Sequence, residues 1–332
     1  MVMRMCVVFS IMVVVGMYME GAEGTLPPPT NPTPTVGVLT LPTQDSECDT
    51  FSSPTTSSQQ SCFATLYSSW LEAAGAQVVP ILYTSSPTTL RSLARSVNGL
   101  VFTGGSILLT PNSTYYQAAQ ILFDETIAIN REGGYLPLHG TCQGFQLLAA
   151  LVAESTDVLS SGFDSEDLSL ALDFTPQARE SLLYGPSVGQ RLGDGDSVYE
   201  MFEKYAITTN LHSLGVTPET FEGNPKLGAF FHLLSTNKDR KGRAFVSSME
   251  AKTLPITATQ YHPERTYEFV ASKNINHSVQ AVFANSFLGL TFVQNARRSS
   301  AAFPSQAAKA EALLYNYAPT PSGDSYQCFF FQ

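Results

Sequence analysis

The segment Leu138–Leu148, LHGTCQGFQLL, sets a cysteine between two glycines as Gly140-Thr141-Cys142-Gln143-Gly144. An apolar run precedes it and a helical pattern follows. That is the strand–turn–helix setting of a nucleophile elbow, with Cys where Ser is common, and its chemistry is acyl transfer. Glycines two residues to either side let the backbone turn sharply without a Cβ clash. The turn lifts the thiol to the carboxyl end of a strand, where open α/β sheets bind ligands. At a helix N-terminus the dipole favours the reactive thiolate. Outside such a context a cysteine reads as a buried structural residue; the two glycines make Cys142 the candidate nucleophile.

A thiolate of this kind works with a base. Of the five histidines, His262 lies in QYHPE at the end of a β-branched run, and Pro263 holds it extended. Glu264, two residues on, is placed to orient the imidazole as the third member of a triad. His212, in NLHSLG, is a second candidate for the pocket. His139 sits just before the elbow, while His232 and His277 carry no motif and read as structural or surface residues. The amide of Gln143, directly after the nucleophile, is a natural oxyanion donor, and the Thr103-Gly104-Gly105 loop offers a second.

These residues need a scaffold, and the pattern supplies one. Thr35–Leu41, Ala76–Leu82, Gly99–Phe102 and Tyr135–Gly140 read as buried strands. Between them, Phe63–Ala74, Thr88–Val97 and Tyr115–Arg131 read as helices, the first closed by Gly75 and the third by Gly133-Gly134; Phe145–Ala153 follows the last strand. Strands alternating with helices give an α/β class with a mostly parallel central sheet covered by helices on both faces. The stretch from Glu154 to Ser197 is rich in Ser, Asp and Gly and reads as strands and loops at one edge. Ala206–Asn210, Arg243–Glu250 and Ile256–Tyr261 read as further strands and Val279–Arg298 as a long terminal helix. One domain over residues 35–332 fits better than two.

Residues 1–24 read as a secretory signal peptide: Arg4, the apolar run Cys6–Tyr18, then small residues at Gly21, Ala22 and Gly24. A Pro-rich leader, residues 25–34, follows. Entry into an oxidising compartment allows Cys48 and Cys62 to close the Ser/Thr-rich loop between them as a disulfide, or Cys328 to pair instead or stay free. Asn112 and Asn276 head N-x-S/T sequons. The net charge of -10 argues against nucleic acid, and anionic substrates would need a local basic pocket. No Cys/His spacing suits a metal. After signal removal no membrane association is expected.

Gly-Thr-Cys-x-Gly-Phe at 140–145 and His-Pro-Glu at 262–264 resemble the class I glutamine amidotransferase-like fold, which implies a three-layer, flavodoxin-like α/β architecture. Within it the chain resembles the γ-glutamyl hydrolase family, through residues 69–76 (SWLEAAGA), Asn210-Leu211-His212, Leu227–Asn237, Ser247–Glu250, Leu314–Tyr317 and Gln327-Cys328. The resemblance runs from Thr35 to the end. It implies Cys142 as nucleophile, His262 as general base with Glu264 its partner, Gly105 and Gln143 as the oxyanion hole, and His212 lining the glutamate pocket, with Gln146 and Gly104 as further substrate contacts. The implied substrate is a poly-γ-glutamyl folate, cleaved through a thioester without cofactor or metal, by a chain that is often a homodimer and resides in a lysosome, vacuole or extracellular space. The chain departs from the family pattern at Thr103, Tyr261, Gln146 and Leu214, the last two in positions that bear on substrate contacts. A glutaminase subunit and a catalytically inactive relative are the competing readings.

Overall fold

The computed structural model describes residues 26–43, 48, 61–269, 273–322 and 326–332. The expected signal peptide and residues 49–60 of the Ser/Thr-rich loop lie outside them. An eight-stranded sheet runs in the order Gln77–Ile81, Thr35–Leu39, Gly99–Phe102, Leu138–Thr141, Ile256–Thr259, Ala244–Ala251, Phe231–Lys238, Asp173–Phe174. The first five are mutually parallel and the last three antiparallel. Helices Thr65–Ala73 and Val279–Ala296 pack together on one face, and Pro87–Ala94, Thr114–Arg131 and Gln143–Ala153 lie on the other. The expected α/β class is what the chain adopts.

Local chemistry explains most of these elements. The five parallel strands are buried along their length and rich in Val, Leu and Ile, as strands covered on both faces must be. Ser86, Ser113 and Ser278 cap their helices by accepting Thr89, Tyr116 and Ala281 N–H. Gly75 closes Thr65–Ala73 in a left-handed turn at φ 89°. Strand alternation then divides His139 from Gly140. His139 points between Trp70 and Phe292, at ring distances of 5.7 and 6.0 Å, and burial pushes it down to about 4. It packs on the face away from the nucleophile helix.

Three elements differ from the sequence expectation. Ser61–Ala64 is a strand rather than the start of a helix, because Phe63 pairs with Phe329 of the C-terminal strand Tyr326–Phe331 in a separate four-stranded sheet. The strand read as Ala206–Asn210 is Thr208–Gly215, and it pairs antiparallel with the long strand Ser160–Leu170, within the stretch read as strands and loops. Phe231–Lys238 is a strand of the main sheet, joined to Ala244–Ala251 by the hairpin that carries Lys241 and Gly242. Of the open disulfide alternatives, Cys48–Cys62 forms, and Cys328 is buried and takes no part in it. Asn112 is exposed, whereas the Asn276 side-chain nitrogen donates to Ala206 O at 2.8 Å.

Glu250, buried in the sheet, accepts Leu182 and Leu183 N–H at 2.9 and 3.0 Å. Burial outweighs both bonds and pushes its carboxyl up to about 7. A folded pKa above the unfolded 4.5 means stability is fully present below that value and lost as pH rises through about 7. Urea unfolding is therefore expected to show a decline on the order of 3 kcal/mol across that window from this group, and Glu250→Gln should flatten it. A slope unchanged by the substitution would assign the decline elsewhere.

Candidate active site

The turn that carries Cys142 is built by exclusion of side chains. A Cβ on Gly140 would stand 2.6 Å from the carbonyl oxygen of Gly144, and one on Gly144 would stand 2.2 Å from that of Phe102. Both distances lie far inside van der Waals contact, so the elbow closes only with glycine at each position. Cys142 pays for the turn with φ 50° and ψ -102°, a conformation that L-residues avoid. Its N–H donates to Thr259 O at 2.7 Å, which ties the elbow to the neighbouring strand.

Strand Ile256–Thr259 leads to His262, whose N–H donates to Thr209 O at 2.9 Å. Its Nδ1 lies 2.6 Å from Glu264 Oε1, with both side chains almost wholly buried. Cys142 and His262 share a side-chain hydrogen bond. Burial works against an imidazolium, but the charges of Cys142 and Glu264 outweigh it and push His262 up to about 10. Burial likewise opposes ionisation of Glu264, yet His262 and then Arg265 hold its carboxyl below the usual range. Arg265 is itself buried and donates to Glu268 at 2.6 Å.

The Thr103–Gly105 loop arrives from strand Gly99–Phe102 and lies against both members of the pair. A Cβ on Gly104 would meet His262 Cε1 at 2.6 Å, and one on Gly105 would meet Gln143 Oε1 at 2.7 Å. Gly104 N–H donates to the Tyr67 hydroxyl at 2.7 Å. The Gln143 side chain grips Ile107 twice, accepting its N–H at 3.3 Å and donating to its carbonyl at 2.5 Å. His212 is buried; its Nδ1 donates to Leu214 O at 3.1 Å, and burial together with the charge of His262 presses it down to about 3. The ring is therefore neutral, with Nε2 a buried acceptor that has no partner among the described residues.

The peptidase C26 family model matches residues 34–264. γ-Glutamyl hydrolase B of Dictyostelium discoideum is 32% identical, over 87% of this chain and 80% of that protein. The γ-glutamyl hydrolase of Homo sapiens is 32% identical over 81% and 82%, and γ-glutamyl hydrolase 1 of Arabidopsis thaliana 30% over 89% and 81%. The chain belongs to the peptidase C26 family and to the γ-glutamyl hydrolases within it. It is an enzyme of that class.

In this γ-glutamyl hydrolase chain Cys142, His262, Glu264, Gly104, Gly105 and Gln143 converge as the motifs suggest. Gln146 does so indirectly. Its amide nitrogen donates to Leu214 O at 2.8 Å and to Gln260 Oε1 at 3.4 Å, behind the nucleophile. Gln260 and Tyr67 are members of the site that motif reasoning missed. Gln260 Nε2 donates to Cys142 Sγ at 3.7 Å, and Tyr67 anchors the Thr103–Gly105 loop by accepting Gly104 N–H. The one signal for Gln260 in the sequence is its place two residues before His262, just past the end of strand Ile256–Thr259. A buried sulfur, a charged imidazole and two donor-bearing backbone turns form a set able to attack a carbonyl and protonate a leaving amine.

Proposed function

We propose that this chain hydrolyses the γ-glutamyl bonds of folyl and antifolyl poly-γ-glutamates with Cys142 as nucleophile. The observation that carries the reading is the buried Cys142–His262–Glu264 chain set beside the Gly104-Gly105 turn. Cys142 Sγ attacks the γ-carbonyl carbon, and the developing oxyanion accepts hydrogen bonds from the backbone N–H groups of Gln143 and Gly105. Collapse breaks the C–N bond while the imidazolium of His262 gives its proton to the departing amine, leaving a thioester. Neutral His262 then takes a proton from water as it attacks. The γ-carboxylate leaves, and the sulfur and imidazolium are restored. His212 and Gln146 border the acyl pocket in this reading. The chain works in the secretory path, in a lysosome, a vacuole or outside the cell, as a homodimer; the Cys48–Cys62 disulfide supports an oxidising route.

Mass-resolved digestion of pentaglutamyl folate at acid and neutral pH tests the reaction. Release of glutamate or short γ-glutamyl peptides is expected and reveals the bond cut. Ammonia from free glutamine with no cleavage of the folate would favour a glutaminase, and turnover of neither would favour an inactive relative.

The electrostatics give a pH signature. Loss of the imidazolium at high pH should stop leaving-group protonation, so the alkaline limb of kcat/KM belongs to His262. Glu264→Gln removes one of the two anions that retain its proton. The limb is expected to move toward neutral pH, and kcat to fall roughly 100- to 10,000-fold as the imidazole loses its orienting partner. A limb that stays in place would remove Glu264 from the triad.

A further inference from the structure

We infer that Arg243 binds an α-carboxylate of the γ-glutamyl chain, one or two residues from the bond that is cut. The inference rests on the reading above and deepens it by naming a residue that makes the site selective for a polyanion.

A poly-γ-glutamyl chain carries a free α-carboxylate on each residue, and a protein of net charge -10 repels it unless a local cation intervenes. The hairpin between strands Phe231–Lys238 and Ala244–Ala251 concentrates Lys238, Arg240, Lys241 and Arg243. It lies at the active-site end of the sheet, because Ala244–Ala251 runs antiparallel to the strand leading to His262. Two of those four cations are already answered locally. Arg240 donates to Asp164 Oδ1 at 3.2 Å and to the carbonyls of Glu166 and Asp167, and Lys241 faces Asp164 at 4.0 Å. Asp239 accepts the N–H groups of Asp164, Lys241 and Arg243.

Arg243 is different. Its guanidinium lies over the ring of Phe163, 4.0 Å from the centroid, and Nη1 donates to Ser161 O at 2.6 Å. Among the described residues no carboxylate forms an ion pair with it. An aromatic face and one carbonyl orient the group without neutralising it, and they leave an edge of the planar fork for a bidentate carboxylate.

A chain of packed, buried side chains links the ring under Arg243 to Cys142. Phe163 stands edge-on to His212, with centroids 6.1 Å apart. Both Phe163 and Gln260 pack against Gly215, where a Cβ would lie 3.3 Å from Phe163 and 3.4 Å from Gln260 Oε1. Gln260 in turn donates to Cys142 Sγ. A γ-linked repeat adds two methylenes to the 3.8 Å step of an ordinary peptide, roughly 6 Å in all. A cation separated from the sulfur by Phe163 and Gln260 therefore falls opposite the carboxylate of a nearby residue, not of the residue being acylated.

The test measures binding in the Cys142→Ala protein, which separates recognition from turnover. Calorimetry with penta-γ-glutamate and with its α-carboxamide counterpart, in the presence and absence of Arg243→Gln, reads the contact directly. The native ligand is expected to bind roughly 10- to 100-fold more weakly once the guanidinium is lost, the range for a hydrogen bond to a charged group. Affinity for the carboxamide should hold, and Arg243→Lys should recover part of the difference. A thermal melt of each variant reports its fold. Equal affinity for the native ligand with or without Arg243, or equal losses for both ligands, would overturn the assignment. If wild type leaves pentaglutamyl folate uncut but binding depends on Arg243, the hydrolase reading fails and this one stands. Turnover with Arg243-independent binding gives the reverse.

Discussion

Cys142→Ala is expected to lower kcat on pentaglutamyl folate by at least ~10⁴-fold, the scale at which removal of a nucleophile acts in enzymes of this logic, while penta-γ-glutamate still binds. The substitution deletes only Sγ; Gln143, Gly105, His262 and Glu264 keep their anchors in separate elements, so the pocket persists. A companion variant exposes the strain of the elbow. Cys142 sits at φ 50°, which alanine tolerates no better than cysteine does but glycine adopts freely. Cys142→Gly should be equally inactive and about 1 kcal/mol more stable than Cys142→Ala in urea unfolding. Retention of more than one per cent of activity in either variant would dismiss the covalent route.

The second large effect is structural. Gly144→Ala places a methyl carbon 2.2 Å from the backbone oxygen of Phe102, where no rotamer change relieves the clash. Either the helix Gln143–Ala153 or the strand Gly99–Phe102 must move; the helix begins at Gln143 and the strand leads into the Gly105 loop, the two proposed oxyanion donors. A loss of about 3 kcal/mol or more is expected, read as a fall in the urea midpoint at constant m. Activity per folded molecule should fall with it, because the Gln143 and Gly105 amides are driven apart. A variant within 0.5 kcal/mol of wild type, on the scale of ordinary surface changes, would mean that the elbow is far softer than the geometry indicates.

The parallel half of the sheet was legible because its signals are local. Gly99–Phe102 was read with its observed bounds, and the elbow announced itself through Gly140 and Gly144, whose spacing has one steric meaning. Features set by distant chain were not legible. Phe63 reads as helix from its neighbours but pairs with Phe329, and its ring lies 5.4 Å from that of Phe331. Strand Phe231–Lys238 has an irregular register and two bulge-like shifts, which blur the alternation that would have revealed it. In the site, Cys142, His262 and Glu264 could be named because titratable groups carry motif signatures. Gln260 and Tyr67 act as neutral hydrogen-bonding groups, and Arg243 acts through the ring beneath it; their neighbours in sequence say nothing of the sulfur, loop or ring that each one meets in space.

The two-point grip of Gln143 on Ile107 has a bearing on tolerance to change. In the proposed mechanism one residue offers its main chain to one half of the anion cradle and, through its side chain, fixes the loop that brings the other half. The two halves thus behave as a single machined part whose internal dimension is the length of one glutamine side chain. Drift of the surrounding domain carries both together and leaves their separation unaltered, whereas shortening that side chain by a single methylene would recalibrate the cradle with every other contact intact.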